Sequence, residues 1–153
     1  MRRKEKQVTS ANEIDAIIYR SEICRLAMAK DNAPYMVPLC FGYDGEAIYL
    51  HTAMKGLKID HFEANPNVCF ELESGARVLP AEAMACKWSF KYESVIGFGT
   101  ISELVDPEEK IHGLNQIMHH YSGKEWPFRE KELRKTRVWK VTIQSLTAKK
   151  STL

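Results

Sequence analysis

The sequence has no long apolar run. Stretches such as Ala27–Met28–Ala29 end after a few residues, whereas a membrane-crossing helix needs roughly 20 consecutive apolar positions. Excess charge is equally scarce. With 22 Lys and Arg against 20 Asp and Glu the net charge is +2, so no electrostatic surplus argues for nucleic acid or anionic lipid as the main partner. Met1–Gln7 is charged, but no apolar segment follows it as in a secretory signal, and the reading is a cytoplasmic chain. Cysteines are few: Cys24, Cys40, Cys69 and Cys86 stand far apart with no C-x-x-C pair, which excludes a disulfide-stapled scaffold and leaves reduced thiols. Neither G-x-G-x-x-G nor G-x-x-x-x-G-K-[ST] occurs, which removes the Rossmann and P-loop readings. Internal repeats, low-complexity segments and linkers are also missing.

What remains is 153 residues with 44% hydrophobic content, the material of one domain with one core, and residues 1–9 read as a flexible extension. Ser10–Ala11–Asn12–Glu13 matches a capping box, and Ile14, Ile17 and Ile18 give the following helix, to about Arg20, one apolar stripe. The period then changes to two. Ile23–Ala29, Tyr35–Tyr43 and Ala47–His51 read as three strands joined at Lys30–Pro34 and Asp44–Gly45. Met54–Glu63 reads as a short helix stopped by Asn65–Pro66, and Asn67–Glu73 as a fourth strand. Ser74–Ala85, with Gly75, Pro80 and no clear period, reads as a long loop of the kind that is often functional. Trp88–Leu104 reads as a long strand bent or bulged at Gly97 and Gly99. Asp106–Pro107–Glu108–Glu109 is a helix start with an N-cap, a proline at the first position and acids in the first turn. Ile111, Leu114, Ile117, Met118 and Tyr121 make its stripe, Gly123 its stop, and Thr136–Thr147 a last strand. Strands gathered in hairpins with helices between some of them point to an antiparallel sheet closed into a small barrel, mainly β with flanking helices.

The densest polar cluster, His51–Thr52–Ala53–Met54–Lys55–Gly56–Leu57–Lys58, falls where a strand ends and a helix begins. Helix-start amides favour an anion, Thr52 brings a hydroxyl, Gly56 lets backbone come close, and Lys55 and Lys58 are three apart, neighbours on one helical turn. The same spacing describes two solvated surface lysines, and spacing alone does not decide. His112 and His119 share a helix face, while His120 is turned away by about 100°. With no H-E-x-x-H grouping, a surface helix is the reading and no metal is expected. Trp126–Pro127–Phe128 either caps a ligand pocket or anchors its loop on the barrel.

The run Pro34–Tyr35–Met36–Val37–Pro38–Leu39–Cys40–Phe41–Gly42–Tyr43–Asp44, then Ile48–Tyr49–Leu50–His51–Thr52–Ala53, Gly56–Leu57–Lys58 and Asn65–Pro66–Asn67–Val68–Cys69–Phe70–Glu71, resembles the nitroimidazole-resistance branch of the pyridoxamine 5′-phosphate oxidase-like flavoproteins. Cys86–Lys87–Trp88 and Tyr92–Glu93–Ser94–Val95–Ile96–Gly97–Phe98–Gly99 resemble that branch's long strand, and the Asp106–Pro107 helix ending near His119–His120–Tyr121 follows in the expected place. The resemblance implies a six-stranded split barrel holding FMN at a homodimer interface, each flavin contacted by both chains. It implies the ring against Val37–Pro38–Leu39 and near His51, with the phosphate by Thr52, Lys55 and Lys58. Pro38, lacking a ladder donor, suits an edge or bulge.

By the same resemblance His51 touches flavin or substrate as a donor or proton source, to which an imidazole titrating near 6.5 is suited. A structural hydrogen bond at a strand end is the plainer reading. Trp88, Tyr92 and Ser94 line the flavin from the partner chain, or are ordinary barrel residues. The implied activity is an FMN-dependent oxidoreductase passing electrons from NAD(P)H to a small acceptor, a nitroaromatic by resemblance. A flavin-binding carrier or sensor without turnover and an interaction protein with no ligand are the alternatives. The cofactor would supply the redox chemistry and the chain its binding and orientation.

Overall fold

Period-two burial sets the sheet. In the computed structural model, which describes residues 4–151, β2 (Cys24–Lys30) buries Cys24, Leu26 and Met28 and turns the residues between them outward. It returns as β3 (Ala33–Leu39) through a two-residue turn, Asp31 and Asn32, both left-handed with φ of 51° and 61°. The five-residue connection expected at Lys30–Pro34 is therefore shorter, because Asp and Asn tolerate the left-handed region and close a tight hairpin with Ala33 and Pro34 already in the ladder. The chain continues as β4 (Gly42–Tyr43), β5 (Ala47–Thr52), β6 (Asn67–Leu79), β7 (Ser89–Leu104) and β8 (Arg137–Ser151). Hydrogen-bonded neighbours run β3-β2-β6-β7-β8-β5-β4. Since β3 and β4 are consecutive in sequence yet occupy opposite ends of that order, the chain itself closes the sheet into a barrel. All pairings are antiparallel, and the six long strands match the expected split barrel. Among the described residues no helix is long and apolar enough to cross a membrane.

Several boundaries differ from expectation. The single strand expected over Tyr35–Tyr43 breaks at Cys40–Phe41, where Phe41 N–H donates to the Tyr121 hydroxyl at 3.2 Å instead of to a ladder carbonyl. Ser74–Leu79 is not loop: β6 and β7 continue past the barrel as a ribbon, with pairs Arg77↔Lys91, Val78↔Phe90 and Leu79↔Ser89 after a register shift at Ser74–Arg77. The ribbon exposes Val78 and Phe90; with no core under it, it carries no apolar alternation. The bulge expected near Gly97 and Gly99 is a register shift between Phe98 and Gly99. Of the expected flexible extension, residues 1–3 lie outside the described residues, and β1 (Gln7–Val8) pairs with β8, with Val8 buried.

The helices follow their local signals. The first, α1 (Ala11–Arg20), buries Ile17 and Ile18. Its capping box does not form: the Ser10 side chain makes no cap bond, and the Glu13 carboxylate accepts from Lys150 Nζ at 3.2 Å. After α2 (Leu57–Ala64), α3 (Pro107–Ser122) begins as its sequence dictates, the Asp106 carboxylate accepting from Glu108 N at 2.9 Å and Glu109 N at 3.1 Å, and ends on left-handed Gly123. Asp106→Ala is expected to cost about 1 kcal/mol, readable as a lowered urea midpoint at unchanged slope. A four-residue α4 (Glu130–Leu133) was not anticipated.

Two apolar clusters result. The barrel interior holds Phe41, Phe70, Leu26, Leu50, Leu72 and Val95, among others. A second cluster outside it joins Ala47, Tyr49 and Val138 of the sheet to Leu104 and to Leu114 and Ile117 of α3, with Phe128 and Leu133 packed on it. Strand β5 thus serves both, with Ile48 and Leu50 inward and Ala47 and Tyr49 toward α3.

Candidate functional site

The barrel is split where β3 and the end of β5 part. β4 pairs with β5 through Gly42↔Tyr49 and Tyr43↔Ile48. Continued backwards, that register would set Cys40 against His51 and Leu39 against Thr52, but Leu39 is paired with Cys24 of β2 instead. Tyr121, expected in the buried stripe of α3, is nearly half exposed because its hydroxyl works at this opening: it accepts from Phe41 N and donates to Glu22 O at 2.8 Å. The split is therefore edged by Val37–Pro38–Leu39 on one side and His51–Thr52 on the other. β3 has one ladder neighbour, β2, so Pro38 lies on an edge strand, exposed between half-buried Val37 and Leu39. α2 closes one end of the opening: its His61 ring lies 5.1 Å from that of Tyr35 of β3, and Asn65 Nδ2 donates to Ala29 O of β2.

The turn into α2 differs from the expected helix over Met54–Glu63. The helix begins at Leu57, so Lys55 stands in the preceding turn, exposed, and only Lys58, half-buried, is on the helix. The two lysines do not share a helical turn. Gly56 sits at φ 149°, ψ 161°, a conformation almost reserved for glycine, and a Cβ there would meet nothing within 4 Å. The backbone is thus open to approach at the point where the Leu57 and Lys58 amides have no preceding helical carbonyl to donate to. Asp60 is the one acid of that first turn.

Alternation separates His51 from Thr52. Thr52 shares the inward face of Ile48 and Leu50. It is buried, accepts from Trp139 Nε1 at 3.0 Å and donates to Ala53 O at 2.9 Å. Its hydroxyl proton is committed inside the barrel and is not presented beside the lysines. His51 faces the other way, into a groove of about 300 Å³ whose walls include Leu114, Ile117 and Met118 of α3 and Phe128 and Glu132 of the following segment. Phe128 of the aromatic loop therefore both packs on the second cluster and lines a cavity, while Trp126 stays exposed with its Nε1 on Ser122 Oγ. Nothing local in the sequence marks the groove, because its walls, Leu114 to Thr136, stand 63 to 85 positions from His51.

Burial of part of the His51 ring pulls its pKa below the ordinary value near 6.5, although one edge remains open. An unfolded chain then binds a proton at residue 51 over a range where the folded chain does not, so this group's contribution to stability is intact above about pH 6.5 and is lost as pH falls toward the lowered value. His51→Gln is expected to flatten that part of the stability profile, measured as urea midpoints from about pH 7.5 down to about 5; an unaltered slope would count against a partly buried neutral ring.

Trp88, Tyr92 and Ser94 are not gathered here. Leu104 of β7 and His51 of β5 both face Val138 of β8, whereas Tyr92 pairs with Ser151 at the far end of β7, about 40 Å away along the strand at 3.3 Å per residue. Trp88 lies beyond it, just outside the ribbon, and is exposed. The three histidines of α3 also do separate things. His112 Nε2 is 4.0 Å from Asp44 Oδ2, and His120 Nε2 donates to Ser21 O at 2.8 Å, while His119 is exposed. Among the described residues no group of three or more His, Cys, Asp or Glu is placed to hold a metal ion. The four thiols are free, and burial pushes Cys24 up to about 12.

An antiparallel barrel opened by one edge strand, with a glycine turn and helix start at the mouth, defines a split-barrel protein. The family model described as pyridoxamine 5′-phosphate oxidase matches residues 10–150, and the chain belongs to that family. Among solved structures, a candidate 5-nitroimidazole antibiotic resistance protein from Bacteroides thetaiotaomicron VPI-5482 is 30% identical with a TM-score of 0.83, covering 94% of this chain and 85% of that one. The FAD and heme binding protein of Mycobacterium smegmatis is 21% identical with a TM-score of 0.85, covering 97% and 74%, and shares the fold. An uncharacterized protein of Rhizobium meliloti (strain 1021) is 32% identical over 66 residues, 43% of each chain, so the match spans less than half of that curated relative.

Proposed function

We propose that the chain is an FMN-dependent oxidoreductase that takes electrons from NAD(P)H and passes them to a small acceptor, a nitroaromatic among the candidates, and that it works as a homodimer with flavin at the interface. The observation that carries this is the split itself: an unpaired strand edge, Val37–Pro38–Leu39, runs beside an open glycine turn and a helix start with half-buried Lys58. A flat ring with a phosphate tail needs that combination of apolar edge and anion-ready amides. The 30% identity to a candidate nitroimidazole-resistance protein supports the acceptor class. Bound FMN would supply hydride and electron transfer. The chain's own residues would cover the ring with the β3 edge, hold the phosphate by the Leu57 and Lys58 amides and the Lys58 ammonium, and set the His51 imidazole beside the opening.

The homodimer rests on a separation within one chain. Within one chain Trp88 and Tyr92 stand a strand's length from the split, and the ribbon that carries Val78 and Phe90 exposes its apolar residues. A two-stranded ribbon is marginal on its own in water. A second copy covering it would bring Trp88, Tyr92 and Ser94 to the other chain's opening.

The absorption spectrum of the purified chain, reconstituted with FMN and titrated anaerobically with NADH and NADPH, tests the reading. Stoichiometric flavin that bleaches with a nicotinamide and recovers with a nitroaromatic at a catalytic rate is the expected result. Flavin that binds but does not turn over would leave a carrier or sensor. A chain that neither takes up FMN nor gains stability from it by mass action would overturn the reading.

A further inference from the structure

The turn that presents the Leu57 and Lys58 amides is held in place from β8. Arg137, the first residue of that strand, pairs with Thr52 at the end of β5. Its guanidinium forks onto Glu103 of β7, Nε donating to Oε1 at 2.8 Å and Nη2 to Oε2, while Nη1 donates to Glu63 Oε1 of α2 at 2.8 Å. The same group lies over the Trp139 ring, 4.6 Å from its centroid. Trp139 is buried and continues the connection: its ring meets that of Phe62 of α2 nearly edge-on at 5.0 Å, and its Nε1 donates to Thr52 Oγ1, which donates in turn to Ala53 O. Arg137 therefore reaches both sides of the turn, α2 through Glu63 and the strand end through Trp139 and Thr52. The turn brings little of its own to hold it, since Gly56 has no side chain and caps α2 with none. Arg137 is also poorly suited to meet an anion itself, because it stands between two carboxylates and the three groups together are negative. Glu63 is more than half exposed, so the pair adds little to global stability. A planar fork fixed on Glu103 and stacked on an indole nevertheless dictates where the Glu63 carboxylate sits.

We propose that Arg137 is the positioning residue of the anion turn: held on Glu103 and Trp139, it fixes α2 through Glu63 so that the Leu57 and Lys58 amides and the Lys58 ammonium converge on one phosphate. Resting on the flavin reading above, this makes affinity for the flavin's phosphate, and not for its ring, depend on a side chain that does not touch the ligand.

Glu63→Ala and Arg137→Met in the full chain separate position from charge. Removing Glu63 deletes a carboxylate from the helix that would hold the phosphate, so electrostatics alone would tighten FMN binding, whereas a slackened α2 weakens it; alanine leaves helix propensity intact. The FMN Kd is expected to rise about threefold to tenfold in either variant and no further in the double variant, because the two residues form one link. Riboflavin, the same ring without the phosphate, should keep its Kd within about twofold. The salt dependence of FMN binding should stay that of wild type, since no phosphate cation has been removed. In the apo chain, ¹⁵N relaxation should show the Gly56, Leu57 and Lys58 amides falling in both variants from rigid order parameters near ~0.85 toward ~0.6, with the amides of α3 unchanged. Tightened or unaltered FMN binding in Glu63→Ala, equal losses of FMN and riboflavin, or a shallower salt dependence in Arg137→Met would overturn the proposal. The last would make Arg137 a phosphate ligand itself. If Arg137→Met does not fold, with Glu103 left unpaired, Glu63→Ala decides alone. A wild-type chain that takes up neither flavin sinks the oxidoreductase reading, and the apo amides then judge Arg137 by themselves: loosened amides uphold its grip on the turn, and unchanged ones overturn it.

Discussion

Gly42→Ala is expected to destabilise the protein by about 3 kcal/mol or more, lowering the melting temperature by roughly 6–12 °C for a chain of this size. A Cβ at residue 42 would lie 2.3 Å from Gln116 C and 2.4 Å from Ile117 N. Those are backbone atoms of α3, which no side-chain rotation can move aside, so either β4 or the helix must shift. The helix carries Leu114 and Ile117 into the cluster with Ala47, Tyr49 and Val138, and close-packed interiors lose contact energy steeply when pushed apart. Gly123→Ala is the control. That glycine has φ 71° with nothing within 4 Å of its Cβ, so the cost is the left-handed strain alone, about 1 kcal/mol. Urea denaturation of both variants separates crowding from strain. A Gly42→Ala chain within about 1 kcal/mol of wild type would mean that α3 rides loosely on β4. The same shift would move Tyr121, whose hydroxyl keeps the Phe41 amide out of the ladder. With that hydroxyl displaced, Phe41 is free to pair toward β5 and narrow the split.

Legibility in the sequence follows how local the determining interactions are. α3 could be read nearly to the residue, since Asp106, Pro107 and Gly123 set its ends through neighbours only a few positions away. The β2–β3 hairpin and the barrel strands are legible from alternation, but the hairpin's two-residue turn is not, since Ala33 and Pro34 are drawn into the ladder by their partners in β2. The break at Cys40–Phe41 was not, because both sides keep a period of two and the choice is made by partners far off in sequence: Cys24 for Leu39, Tyr49 for Gly42 and Tyr121 for Phe41. The ribbon at Ser74–Leu79 carries no strand signal for the opposite reason, as it has no buried face to write a period. At the candidate site the clustering of His51 to Lys58 at one strand end is legible, and so is the direction of each side chain. Ile48 and Leu50 already imply that Thr52 points inward and His51 outward. Gly56 likewise marks the helix start, which leaves Lys55 outside.

The helix start at Leu57 ranks the two lysines. Lys58→Ala is expected to weaken FMN binding by roughly 10–100-fold, the worth of one charge-assisted hydrogen bond of about 1.5–3 kcal/mol to a phosphate. Lys55→Ala, removing an exposed charge from a turn, should cost less than about threefold, in line with the small worth of solvated ion pairs. His51→Ala should fall between wild type and Lys58→Ala in affinity, since it changes a group beside the ring rather than the anion's anchor. Titration of apo chain against flavin fluorescence gives each Kd, and repeating it from about 50 to 200 mM salt adds a readout that a structural defect would not move. Wild type should lose affinity with salt, Lys58→Ala should lose markedly less, and Lys58→Arg should restore much of the salt dependence. Asp60→Asn, which deletes the carboxylate in the same helical turn, should tighten binding slightly, because a like charge beside a phosphate is removed. Wild type and Lys58→Ala holding FMN equally, with parallel salt curves, would place the dianion somewhere other than the start of α2. The oxidoreductase reading would then have lost the feature that orients its cofactor.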